Sequence, residues 1–171
     1  MEFRTDVYGK GHSFERELVP EIWPFLKRWE GFRAQRYQDG IRNGEPVYSI
    51  GYGHAEYGDT PPLTIPPDMT VTEEEATVFL KADAARKAHF INVRVKVPIT
   101  NYQFSALTSL AYQYGNGRLD KTQLFPILNT GNHVDASVLM LTLNATTSGK
   151  VLRGLSIRRA CEVEMFVRQI N

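Results

Sequence analysis

The chain of 171 residues carries one cysteine, Cys161, so a disulfide-stapled fold is excluded. Cys161 sits in a helical pattern without the His-paired signature of a catalytic thiol, and we expect a small buried hydrophobe there. No run of 18 apolar residues occurs, so no segment reads as a membrane-spanning helix. Neither sign of charge is in excess: 20 basic and 19 acidic residues leave a net +1, and no lysine–arginine cluster argues for nucleic acid. Metal ligation is not expected, because His12, His54, His89 and His133 are scattered without ligand spacing. Internal repeats and low-complexity tracts are absent as well. What remains, with 42% hydrophobic and 23% charged residues, has the composition of an ordinary globular protein long enough to bury a core.

Apolar spacing then organises the chain. Phe14, Leu18, Ile22, Phe25, Leu26 and Trp29 predict a helix within 14–33, with Pro20 and Pro24 near its start or at a kink. From Gln35 to Tyr57 the signals change to short strands, and Asn43-Gly44 marks a hairpin turn before a strand over Pro46–Ile50. Four prolines between Gly58 and Asp68 predict an ordered surface loop. Thr72-Glu73-Glu74-Glu75 reads as a capping box that opens a long helix. Pro98 ends that helix, and further helices are predicted at 101–114, 122–129, 133–143 and 155–170, separated by glycines. The fold class is therefore α+β and mainly α: helix, small sheet, long helix, helical bundle. A cleft between a sheet lobe and a helical lobe follows, and substrates favour such places.

Two carboxylates stand at the passage from the first helix into the sheet region. Glu30 falls in the last turn of the first helix, where the dipole disfavours an anion and so favours the protonated form. Asp39 follows nine residues later, and then comes Tyr48-Ser49-Ile50-Gly51-Tyr52-Gly53-His54. Glycoside hydrolysis uses such a pair, an acid for the leaving oxygen and a second group that handles water. Gly51 and Gly53 have a bland explanation, a bulge or tight bend, and a functional one, a backbone that approaches a sugar closely. His54 is expected to be a hydrogen-bonded structural histidine rather than a base. Arg158 and Arg159 near the start of the last helix can form a salt-bridged face with Glu162. Tyr37, Tyr52 and Tyr112 can face sugar rings, although core or surface packing is the role expected for any one of them.

In these residues the chain resembles the phage-type, T4-like lysozymes, the endolysin family classed as glycoside hydrolase family 24. That family's Glu-Gly pair, Tyr-x-Asp and Thr-Ile-Gly-x-Gly-His read here as Glu30-Gly31, Tyr37-Gln38-Asp39 and Ser49-Ile50-Gly51-Tyr52-Gly53-His54. Gln103 to Gly117, Thr122 to Gly131 and Gly154 to Glu162 are similar to later family motifs, in order. The resemblance implies a lysozyme-like two-lobed fold with Glu30 as general acid, Asp39 as second carboxylate and Ser49 in the position of the family's threonine. Asp39 and Ser49 would hold a water opposite the acid, giving inversion, which needs carboxyl groups about 6.5–9.5 Å apart. It further implies that Arg158 orients Glu30, that Gln113 meets an acetamido group, and that His54 pairs with Asp83. Ser49 departs from the family: it keeps the hydroxyl but lacks the methyl that stiffens χ1, so reduced activity is expected.

The activity implied is hydrolysis of the β-1,4 bond between N-acetylmuramic acid and N-acetylglucosamine in bacterial peptidoglycan, without a cofactor, by a monomer. A lytic transglycosylase acting on the same bond and a non-catalytic peptidoglycan-binding module are the rivals. Residues 1–13 read as an N-terminal extension and 14–171 as one domain, with a sheet lobe at about 35–70 and a helical lobe at about 72–171 plus the first helix. Met1–Ser13 lacks the apolar core of a secretory signal. Synthesis in the cytoplasm and action on the wall, in the periplasm or outside the membrane, would then require a holin or a secretion apparatus, with no stable membrane insertion.

Overall fold

The structure is a computed structural model that describes residues 15–55, 64–146 and 148–168. The expected extension at 1–13 lies outside them, as does most of the proline-rich loop. Two compact units are present, Val19–Ala88 on one side and Met1–Leu18 with His89–Asn171 on the other.

The Val19–Ala88 unit begins with α1, Ile22–Glu30. This helix is shorter than the apolar spacing suggests. It opens after Pro20, and Pro24 falls in the first turn, where backbone N–H groups have no intrahelical acceptor in any case. Ile22 and Leu26 face the interior with no exposed surface. Gly31, at φ +70°, closes the helix by donating its N–H to the Lys27 carbonyl at 3.1 Å.

A three-stranded antiparallel sheet follows in the order β1-β2-β3, formed by Arg33–Arg42, Glu45–Gly51 and His54–Ala55. Asn43 and Gly44 join β1 to β2 with positive φ at both positions, 52° and 85°. That is the two-residue turn whose twist matches the strands it connects. The β1–β2 register is not uniform. Gln38 pairs with Tyr48 and Gly40 with Val47, so Asp39 is an extra residue at a bulge.

Helix α2, Glu73–Arg94, starts at the predicted capping box. Thr72 Oγ1 accepts from the Glu75 N–H at 3.2 Å, and Glu75 Oε2 accepts from the Thr72 N–H at 2.8 Å. Ala76, Leu80, Ala84, Ala88 and Ile91 are buried along one stripe of it, and the boundary between the units falls at Ala88. The helix stops at Arg94, short of Pro98.

The other unit holds α3 Asn101–Tyr114, α4 Asn116–Leu119, α5 Leu124–Leu128, α6 His133–Thr142 and α7 Arg153–Val167. Thr100 and Gln103 make a reciprocal capping box for α3. Phe104, Leu107, Leu110, Leu124, Leu128, Met140 and Phe166 are buried. Because Phe90 meets Phe125 edge-on at 5.7 Å, the end of α2 is tied to α5. Arg94 reaches Asp120 through two hydrogen bonds of 2.6 Å, and Arg16 donates to the Val97 carbonyl at 2.9 Å. α4 fills a stretch that the sequence presents only as a glycine break. Cys161 is half-buried on α7 rather than fully enclosed, since the outward side of that helix faces solvent. No described helix is long and apolar enough to cross a membrane.

Candidate active site

The acidic candidates lie in the Val19–Ala88 unit. Glu30 is the last residue of α1 and is half-buried. Its Oε2 lies close to the Gly53 backbone: a Cβ placed on Gly53 would stand 3.9 Å from that oxygen. Gly53 has φ +81°, so the turn favours glycine there, although a Cβ would make only ordinary contact with the carboxylate.

Asp39 owes its direction to the bulge. An extra residue in one strand bends it and re-aims a side chain, and Asp39 is exposed except where Ser49 meets it. Ser49 Oγ donates to Asp39 Oδ2 at 2.8 Å. Ser49 itself has no exposed surface, so its hydroxyl is enclosed among protein groups.

Tyr37 reports on the whole group. Burial raises its phenol above the ordinary value, and the negative charges of Asp39 and Glu30 raise it further, while Arg33 and a hydrogen bond with Ser49 oppose them. One phenol therefore senses both carboxylates and the serine. Arg33, which the sequence reading passed over, lies with its guanidinium 4.3 Å from the Tyr37 ring centre. An open pocket of about 430 Å³ is lined by Arg33, Ala34, Gln35, Arg36 and Tyr37.

The two glycines of the motif do different work. Gly51 is buried at φ +66°, and a Cβ there would come within 2.8 Å of the Ala76 Cβ on α2. Helix packing accounts for Gly51, whereas Gly53 borders the carboxylate. Tyr52 is 3% exposed, packs on Phe32 at 5.6 Å and donates its hydroxyl to Glu73 Oε1 at 2.7 Å. It is a core residue, with no face left for a sugar.

His54 and Asp83 are paired, Nδ1 to Oδ2, at 2.9 Å. Asp83 also accepts from Arg86, and the imidazole stacks on Phe79 at 4.6 Å between centroids. A ring so held ties β3 to α2. Among the described residues no group of three His, Cys, Asp or Glu side chains could hold a metal ion.

Arg158 and Gln113 belong to the other unit, on α7 and α3. Arg158 Nε donates to Glu162 Oε1 at 3.1 Å, and Arg159 donates to the other Glu162 oxygen and to Gln113 Oε1. The salt-bridged α7 face is present, but all three of its charged members are buried.

Residues 27–162 match the family model described as phage lysozyme. The chain belongs to the phage lysozyme family of glycoside hydrolases. Over 161 residues it is 34% identical to the endolysin of Acyrthosiphon pisum secondary endosymbiont phage 1, covering 91% of this chain and 97% of that one. With the endolysin of Bacillus phage B103 it shares 35% identity over 142 residues, 83% of this chain but 51% of that relative, so it spans about half the length of that protein. The muramidase domain of SpmX from Asticaccaulis excentricus superposes with a TM-score of 0.77 at 26% identity, over 91% of this chain and all of that one. The phage lysozyme fold, mainly helical with a small antiparallel sheet, is thus the one the sequence predicted.

Proposed function

We propose that this member of the phage lysozyme family hydrolyses the β-1,4 bond between N-acetylmuramic acid and N-acetylglucosamine of bacterial peptidoglycan, with inversion. One observation carries the reading: Ser49 donates to Asp39 at 2.8 Å within the same unit, and beside the same tyrosine, as Glu30. In this reading Glu30 protonates the leaving oxygen. A hydroxyl has a single proton to give, and Ser49 commits it to Asp39 Oδ2, which fixes the plane of that carboxylate. The free Oδ1 of Asp39 then accepts from a water and leaves the water's lone pair for the sugar carbon. The sequence expected Ser49 to touch that water; since it is fully enclosed, we assign it to holding Asp39 instead.

The endolysin relatives support peptidoglycan as substrate, and delivery to the wall would rest on a partner such as a holin. Incubation of the purified protein with purified peptidoglycan should release fragments with reducing N-acetylmuramic acid ends, and Glu30→Gln should abolish this with the fold retained. Full activity of Glu30→Gln contradicts the acid role. Anhydro-sugar ends would instead establish transglycosylase chemistry, and binding without release a non-catalytic module.

A further inference from the structure

Between Arg33 and Tyr37 the first strand does not keep step with its partner. β1 advances four residues there, from Arg33 to Tyr37, while β2 advances two, from Gly51 to Ser49. The surplus backbone bows out of the ladder. A separate segment holds it in that shape, since Gln35 bridges Thr70 and the Val71 N–H donates to the Ala34 carbonyl at 2.9 Å. The bowed segment alone, Arg33, Ala34, Gln35, Arg36 and Tyr37, lines the pocket of about 430 Å³.

Two of these five lining residues are cationic and none is acidic. Each guanidinium is steadied by a tyrosine ring: Arg33 lies 4.3 Å from the centre of Tyr37, and Arg36 lies 3.5 Å from that of Tyr48. A guanidinium over a ring engages through its face, so its N–H fork stays in plane and matches a planar carboxylate. Arg33 is exposed, which leaves that fork within reach of a ligand. The pocket also adjoins the candidate acids through Tyr37. Burial first, and then the charge of Asp39, raise the Tyr37 phenol, with Glu30 acting in the same sense and Arg33 opposing.

We propose that this pocket is an anion subsite in which Arg33, assisted by the charge of Arg36, binds a carboxylate carried on the lactyl side arm of muramic acid. The inference rests on the muramidase reading. The carboxylate belongs to the peptide stem attached to that arm, or to the lactyl group itself where no stem is attached. Both present the same planar anion to the fork. Neutral sugar hydroxyls give two cations nothing to neutralise, so the subsite favours charged wall glycan over a neutral form of the same sugars.

Cosedimentation with insoluble peptidoglycan tests this, with Glu30→Gln as the parent so that the glycan stays intact. The probes are untreated peptidoglycan and peptidoglycan whose carboxylates have been converted to amides. The parent should bind the untreated material about fivefold more tightly, the upper range for an ion pair at an exposed site. Adding Arg33→Gln should bring that ratio to about one. Glycan stripped of its stems by an amidase keeps only the lactyl carboxylate and identifies the source. Arg33-dependent binding that survives stripping assigns the lactyl group, and binding that is lost assigns the stem. An equal ratio in the parent and in Arg33→Gln overturns the proposal, as does a parent that binds both materials alike. A thermal melt checks the fold, and should Arg33→Gln not fold, Arg36→Gln decides by the same ratio. Release of reducing ends by the protein with Glu30 intact tests the muramidase reading separately, so the two failures are distinguishable.

Discussion

Asp39 illustrates how the task proposed for a single residue rests on geometry that its own side chain does not encode. Its carboxylate is aimed by the strand bulge and oriented by Ser49 Oγ, 2.8 Å away. Removing that donor leaves the carboxylate free to rotate, while the position of the negative charge barely changes. Ser49→Ala should therefore lower kcat by about 10–100-fold with little change in KM, the range expected when a catalytic group loses its orientation. Ser49→Thr, which keeps the hydroxyl and stiffens χ1, should match or exceed the wild type. Steady-state turnover of peptidoglycan checks both, and equal activity of Ser49→Ala and wild type would separate the serine from the chemistry. The two acids, the serine, and the His54–Asp83 pair were all legible in the sequence as motif positions. The enclosure of Ser49 was not, because burial depends on what packs over a strand. Nor was the division of labour between Gly51 and Gly53, which only the nearness of Ala76 and of Glu30 reveals.

At the scale of elements, caps and turns were the readable part. Thr72 and Glu75 start α2, Thr100 and Gln103 start α3 at the predicted residue, and Asn43-Gly44 makes the hairpin. Each is a short-range rule that the chain obeys locally. The bulge at Asp39, the early end of α2 at Arg94 and the short helix α4 depend on pairing and packing across longer separations, and periodicity is silent on those. One local tie can be tested by pH. Tyr52 donates to Glu73 Oε1, joining the turn after β2 to the first turn of α2, and Lys27 lies 3.6 Å from the same oxygen. Burial, and then the bond to Glu73, push the Tyr52 phenol from 10 up to about 12. A group whose pKa rises on folding lends stability that is complete below its unfolded value and is lost as pH climbs through the folded one. The urea midpoint of the wild type should accordingly fall from about pH 10 toward about pH 12, and fall less steeply in Tyr52→Phe. Parallel declines would show that Tyr52 ionisation is not linked to folding.

For the whole molecule, the order of elements followed from the sequence, while their grouping did not. Apolar spacing shows that α1 has an inward face, with Ile22 and Leu26 buried, but not what that face meets; α1 falls in the unit that holds the sheet, where the sequence had grouped it with the helices. The consequence bears on the proposed site, because Glu30, Asp39 and Ser49 then share one compact unit. The matched region, residues 27–162, takes in most of both units. The chain aligns with 97% of one endolysin relative and 51% of another, so similar sequence occurs in proteins of different length. The central claim is that Asp39 carries a water to the sugar face opposite Glu30. Its most direct test is the anomeric configuration of the first product, read by proton NMR before mutarotation, when the protein cleaves soluble peptidoglycan fragments. We predict the α-anomer at the newly formed reducing end. A β-anomer, or a 1,6-anhydro end with no water incorporated, would contradict the assignment.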